Sequence, residues 1–207
     1  MPRGYNPRMD SPAATLILLA TLAASLAGLY AAPGLIERNL LRPYWFLRRR
    51  QYATLVTSGF IHASLGHLLF NGLTLWSFGL PLERRIGSAR FVALYTAALL
   101  ASGLGTVWKQ RRNPEYACLG ASGAILGVLF ASIVYFPTQS ILIMPLPVPI
   151  PAPLFALGYL AYTLYAARLA RGRINHDAHL GGALTGLVFV ALTDPQAFAR
   201  AVQWVLA

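Results

Sequence analysis

Gly120-Ala121-Ser122-Gly123-Ala124-Ile125-Leu126-Gly127-Val128-Leu129-Phe130-Ala131-Ser132-Ile133-Val134-Tyr135-Phe136 reads as a small-residue turn opening a charge-free apolar run that stops at Pro137. Such a run predicts a membrane helix over about 121–136, short against the roughly 17–25 residues that a hydrocarbon core of about 30 Å asks for. Ser122 stands at the head of that helix between glycines, where an intramembrane nucleophile would have to stand.

The rest of the chain fits the same solvent. With 57% hydrophobic and 11% charged residues in 207, it is a polytopic membrane protein rather than a soluble domain. Further spans are expected at about 13–32, 65–82, 91–108, 153–169 and 178–193, giving six in an all-α bundle that forms one domain over 1–207. The first is flanked by Arg3 and Arg8; its apolar run is too long for a signal-peptide core, so it is expected to be an uncleaved span. Pro81 and Glu83-Arg84-Arg85 are expected to end the second. Pro145, Pro147, Pro149, Pro151 and Pro153 forbid regular helix between the fourth and fifth. Ala197 to Leu206 reads as a short amphipathic helix at the interface. The long loop between the first two spans sets Tyr44-Trp45-Phe46 beside Arg48-Arg49-Arg50, an aromatic and cationic mixture suited to a headgroup boundary. It is expected to be a structured, partly embedded lateral element.

The formal charge of +11 comes from loop arginines, Lys109 being the single lysine. Arginines beside apolar spans act on headgroups and topology, so the bilayer rather than nucleic acid is the expected partner. The lone Cys118 excludes an internal disulfide and leaves the redox compartment open.

With six alternating spans, the second, fourth and sixth helices run in one direction and start on one side of the membrane. Three polar sets then share a layer: His62, His67 and Asn71; Ser122; and His176 with His179. Polar side chains at membrane depth are costly and mark candidate functional sites. Gly123 and Gly127 on the fourth helix, and Gly182 and Gly186 with neighbouring Gly181 on the sixth, form small-residue faces that permit close backbone approach. That approach would bring Ser122 within reach of His179, and a serine needs an adjacent base to become a nucleophile. Each feature alone also fits plain helix packing; their joint occurrence favours a Ser122–His179 dyad. His67 and Asn71, four residues apart on one face, are donors suited to an oxyanion. His62 is expected to make a structural bond to the long loop. Asp177, two residues from His179, is on the wrong face to orient the imidazole. No metal site is expected, because no carboxylate or thiolate converges with the histidine pairs.

These residues resemble a known family. Gly120-Ala121-Ser122-Gly123 is similar to the GxSG motif of rhomboid intramembrane serine proteases, Ala178-His179-Leu180-Gly181-Gly182 to their AHxGG motif, and His62 to Asn71 to their HxxxxHxxxN segment. Gly79, Glu83 and Gly87 resemble the pattern that follows the second span, and the likeness runs from about Trp45 to Pro195. The resemblance implies that Ser122 attacks the scissile carbonyl, that His179 acts as base and then acid, and that His67, Asn71 and the Ser122 N–H form the oxyanion site. It implies transmembrane protein substrates, no cofactor and a multi-pass protein, here expected in a bacterial or archaeal cell membrane. The oligomeric state stays open. Leu126 departs from the pattern, since many members carry there an aromatic that stacks on the catalytic histidine. A catalytically silent relative that escorts membrane clients is the alternative, although such relatives typically lack the serine or the histidine. Of the 17 Lys and Arg residues, eleven lie on the side of the proposed catalytic mouth and six on the other. The positive-inside rule would turn that mouth to the cytoplasm. Bacterial members usually open the other way, and five of the eleven belong to the interfacial first loop, so the family orientation is expected.

Overall fold

The structure, a computed structural model, describes residues 11–143, 146–169 and 175–206; Arg3, Arg8 and Pro145 lie outside the described residues. The described chain is predominantly helical. Helix α1 (Pro12–Leu26) continues through a π-helical turn, Ala27–Ala31. The long loop folds into three short helices, α2 (Gly34–Asn39), α3 (Pro43–Arg48) and α4 (Thr54–Thr57). There follow α5 (Leu65–Thr74), a second π turn (Leu75–Gly79) and α6 (Leu80–Ile86), then α7 (Ser88–Gln110) and α8 (Ser122–Tyr135). Strands β1 (Ser140–Ile143) and β2 (Leu146–Pro151) precede α9 (Ala152–Leu169), α10 (His176–Thr193) and α11 (Pro195–Leu206).

A helix stands at each of the six expected positions, but length and composition do not by themselves bear out six spans. Among the described residues, Pro12–Ala31 and Ser88–Gln110 are long and apolar enough to cross a membrane, and α10 with α11 would add a third only if that pair, bent by 117°, were one span. The causes are local. At 14 residues, α8 rises only about 21 Å. Its side chains from Gly123 through Val134 are all buried, so protein rather than lipid surrounds it. The second expected span does not end at Pro81: helix runs on to Ile86, because the preceding π turn shifts the carbonyl register with which the proline ring would otherwise clash.

The proline-rich stretch forms an antiparallel hairpin rather than helix, so the fold is not strictly all-α; Ile141 pairs with Ile150 and Leu142 with Pro149. Alternate prolines remove N–H groups from one edge of β2 only, while Ala152 just beyond it still donates to Gln139 O at 2.9 Å. Outward-facing Leu16, Leu19, Leu154, Leu157, Val188 and Leu192 give the bundle an apolar exterior, the surface expected against lipid.

Helices α7, α8 and α10 form the centre. A Cβ on Gly182 would fall onto the carbonyl of Gly123, one on Gly186 onto the carbonyl of Gly127, and one on Gly127 onto the Ala98 methyl of α7. The two backbones therefore touch at two successive turns, as the small-residue faces required. At the opposite end of the bundle, Glu83 is buried and bonds three donors: Ala13 N at 3.0 Å, Ala14 N at 2.7 Å and Ser88 Oγ at 2.6 Å. Its carboxylate thus caps the first turn of α1, whose N–H groups have no intrahelical acceptor.

Two stability tests follow from this packing, both read by thermal unfolding in detergent. Gly182→Ala should cost about 3 kcal/mol by forcing α8 and α10 apart, whereas Gly158→Ala on α9, with nothing within 4 Å of the new methyl, should be neutral or stabilise by roughly 0.5 kcal/mol. Glu83→Ala should cost roughly 3 kcal/mol, because it leaves the Ala13 and Ala14 N–H groups unpaired; an unchanged melting temperature would refute the capping role.

Candidate active site

The serine turn is built from both sides. The long loop and the segment before α8 pair backbone to backbone, Leu41 N to Cys118 O at 2.9 Å and Cys118 N to Leu41 O at 3.0 Å, and Gly120 N donates to Ser58 O at 2.9 Å. Gly120 adopts φ +117°, a conformation that disfavours any side chain. A Cβ there would also lie 2.5 Å from Cε1 of the His67 ring. The glycine is therefore required twice, by backbone conformation and by the imidazole packed on it. Helix α8 begins at Ser122, so the N–H groups of Ser122 and Gly123 have no intrahelical acceptor and point, with the positive end of the helix dipole, at the space before the turn.

Helix α10 is set by Asn175, whose side chain accepts from Ala178 N at 3.1 Å and donates to Thr106 Oγ1 at 2.9 Å. This cap starts the helix two residues before the expected position. Lys109 bonds Asp177 at 2.6 Å, tying α10 to the end of α7. Asp177 is thereby engaged away from the imidazole.

The glycine contact and these caps bring Ser122 Oγ and His179 Nε2 to 2.8 Å. The other nitrogen, Nδ1, lies 3.0 Å from Tyr159 Oη on α9. Tyr159 is the partner that sequence reasoning missed; the available signal was the vacancy at Leu126, which left the ring without support, together with the Phe155 and Tyr159 spacing on α9. Phe155 stacks on the Tyr159 ring at 5.6 Å, and Phe130 of α8 lies 5.9 Å from it.

His62 departs from its expected partner. Fully buried, it meets Ser25 Oγ of α1 through Nδ1 at 3.1 Å, while Nε2 faces Asn71 Nδ2 at 3.1 Å and the Ala121 N–H at 3.5 Å. Because Ser25 in turn donates to Phe60 O at 3.2 Å, the ring's hydrogen bonds among the described residues reach the long loop through α1. The physical reason is depth: a ring with no exposure must satisfy both nitrogens from elements packed around it. Asn71 Nδ2 donates to His62 Nε2 and to His67 O at 3.1 Å, so both its hydrogens are engaged in this state. The His67 ring lies edge-on to His62 with centroids 4.7 Å apart.

A small cavity of about 40 Å³ adjoins the serine turn, lined in part by Ser58, Ser102, Thr106, Cys118, Ser122 and Asn175. Burial pushes the Cys118 thiol up to about 11, away from the thiolate form. Among the described residues no group of three or more His, Cys, Asp or Glu side chains could hold a metal ion.

The Rhomboid domain matches residues 49–195. "Rhomboid protein 1, mitochondrial" of Saccharomyces cerevisiae is 33% identical over 156 residues, which cover 70% of this chain and 44% of the yeast protein. "Presenilin-associated rhomboid-like protein, mitochondrial" of Homo sapiens is 35% identical over 141 residues, covering 66% of this chain and 36% of the human one. A rhomboid-named protein of Bacillus subtilis is 38% identical over a shorter stretch, 36% of each chain. The chain thus spans less than half the length of these curated relatives. The relatives that match over about two thirds of the chain are mitochondrial by name, which overturns the expected bacterial or archaeal cell membrane. With more than half of its length under the Rhomboid domain, this chain belongs to the rhomboid family of membrane proteins.

Proposed function

We propose that this protein is an intramembrane serine endopeptidase of six crossings that cleaves transmembrane segments of other membrane proteins, in the mitochondrial compartment its relatives' names indicate. The observation that carries the reading is the 2.8 Å contact between Ser122 Oγ and His179 Nε2 at the head of a buried helix. Nε2 takes the Ser122 proton as Oγ bonds to the scissile carbonyl carbon, whose oxygen becomes the oxyanion. The Ser122 N–H and His67, which packs on Gly120, supply donors to that oxygen at the positive end of α8. Asn71 joins them only by giving up one of its two present bonds, and otherwise holds His62 and the His67 carbonyl in place. His179 then passes the proton to the leaving amine, the C–N bond breaks, and an ester to Ser122 remains. Water attacks the ester with His179 again as base, releasing the acid and restoring the hydroxyl. The reaction calls on no cofactor. Gly123, Gly127, Gly182 and Gly186 act by setting the distance between nucleophile and base.

Six crossings are compatible with the short α8, since protein encloses it and lipid need not match its length. Ser122 would then lie below the membrane surface, reached from the side where α10 also begins. A non-catalytic escort would have no use for a serine and an imidazole at bonding distance.

The test is cleavage of a model transmembrane substrate, with small or helix-breaking residues in its span, by the purified chain in detergent. Ser122→Ala and His179→Ala should each reduce turnover at least about 1,000-fold, and His67→Ala should lower it on the order of 10- to 100-fold. Full turnover in Ser122→Ala would end the protease reading.

A further inference from the structure

The proposed reaction uses one nitrogen of His179, but the ring has two, and their states are linked. Nε2 accepts the Ser122 proton only when the imidazole hydrogen is on Nδ1, and a buried Nδ1–H needs an acceptor of its own. The atom at Nδ1 is Tyr159 Oη, 3.0 Å away. A phenol is ambivalent, however. If it donates to Nδ1, the hydrogen sits on Nε2, aimed at Ser122, and the base is disarmed.

The surroundings bear on that choice. Thr163, one turn on along the same face of α9, is fully buried, and among the described residues its hydroxyl has no hydrogen-bond partner. A Tyr159 hydroxyl proton turned toward Thr163 would find an acceptor there, leaving the phenol oxygen to accept from Nδ1–H. Asp177 bonds Lys109, while the His176 ring stands edge-on 6.2 Å from His179 with its Nδ1 unpartnered among the described residues. Tyr159 is itself held between Phe155 and Phe130, so its hydroxyl has little freedom to turn elsewhere.

We infer that Tyr159 is a positioning residue for the base: it accepts from His179 Nδ1–H and directs its own proton to Thr163, keeping Nε2 free toward Ser122. This rests on the protease reading. It also makes the alignment of the base depend on α9, whose outer face exposes Leu154, Leu157 and Tyr165, because outward movement of that helix would break the bond to Nδ1.

Tyr159→Phe keeps the ring and its stacking, and Thr163→Val keeps the shape of the side chain. In the cleavage assay Tyr159→Phe should lower kcat about 10-fold with KM unchanged. Thr163→Val should lower kcat by roughly 3-fold in the same sense, although loss of an unpartnered buried hydroxyl would leave a purely structural role unharmed or improved. A readout independent of turnover is nitrogen NMR of protein labelled with 15N-histidine, the His179 signals being assigned by their loss in His179→Ala. The native protein should show the Nδ1–H form, and Tyr159→Phe should gain the Nε2–H form. Unchanged kcat with an unchanged tautomer in Tyr159→Phe, or a loss confined to KM or melting temperature, would overturn the inference. Should the native protein fail to cleave while the tautomer still shifts on substitution, the protease reading fails and the positioning of the imidazole stands.

Discussion

The fold depends on the direct contact between the backbones of α8 and α10. Gly123 meets Gly182 and Gly127 meets Gly186 with no room for a methyl group between them. Ser122 precedes the first of these contacts by one residue, and His179 precedes its partner glycine by three. Helix geometry then leaves the two side chains facing each other across a gap that a single hydrogen bond fills. Without the hydrophobic effect to drive helices together in lipid, such association relies on close packing, which small residues allow. The enclosure of α8 follows from the same contact, since α7 closes on it through Ala98 and Ser102.

Polar groups at the two ends of the bundle fix what the glycines bring together. At the serine end the loops carry them: Leu41 with Cys118, Ser58 with Gly120, Asn175 with Ala178 and Thr106, and Lys109 with Asp177. The long loop is thus a structural wall of the site and not only an interfacial ornament. At the far end Glu83 ties the starts of α1 and α7 together through three hydrogen bonds. The core between is apolar, so the bonds of Leu41, Ser58, Asn175 and Glu83 sit where competing water is scarce and their loss is felt, whereas the Lys109–Asp177 pair is exposed.

Much of this arrangement is legible in the sequence because it is local and periodic. The apolar runs predict where helices stand, and glycines four apart predict which faces meet. The serine between glycines and the histidine two before a glycine pair then mark the site. What is not legible depends on partners that no pattern announces. Tyr159 reads as one more aromatic on a lipid-facing helix, and only the fold shows its hydroxyl at His179 Nδ1. The same is true of Ser25, a small residue in an alanine-rich helix that turns out to satisfy His62. Pro81 looks like a helix stop until the π turn before it is known. The proline run forbids helix but does not by itself announce a hairpin, whose pairing needs β1. Composition, finally, carries no address: a bilayer is implied by hydropathy, but not which bilayer.

The central claim is that Ser122 is a nucleophile because His179 is its base. Its most direct test is the reaction of the intact protein with a fluorophosphonate, followed by mass mapping of the modified residue. The account predicts one adduct, on the Ser122 Oγ, formed by the native protein and lost in His179→Ala although the serine is still present. An adduct on Ser102 or another serine, or labelling of Ser122 at an undiminished rate without His179, would contradict it.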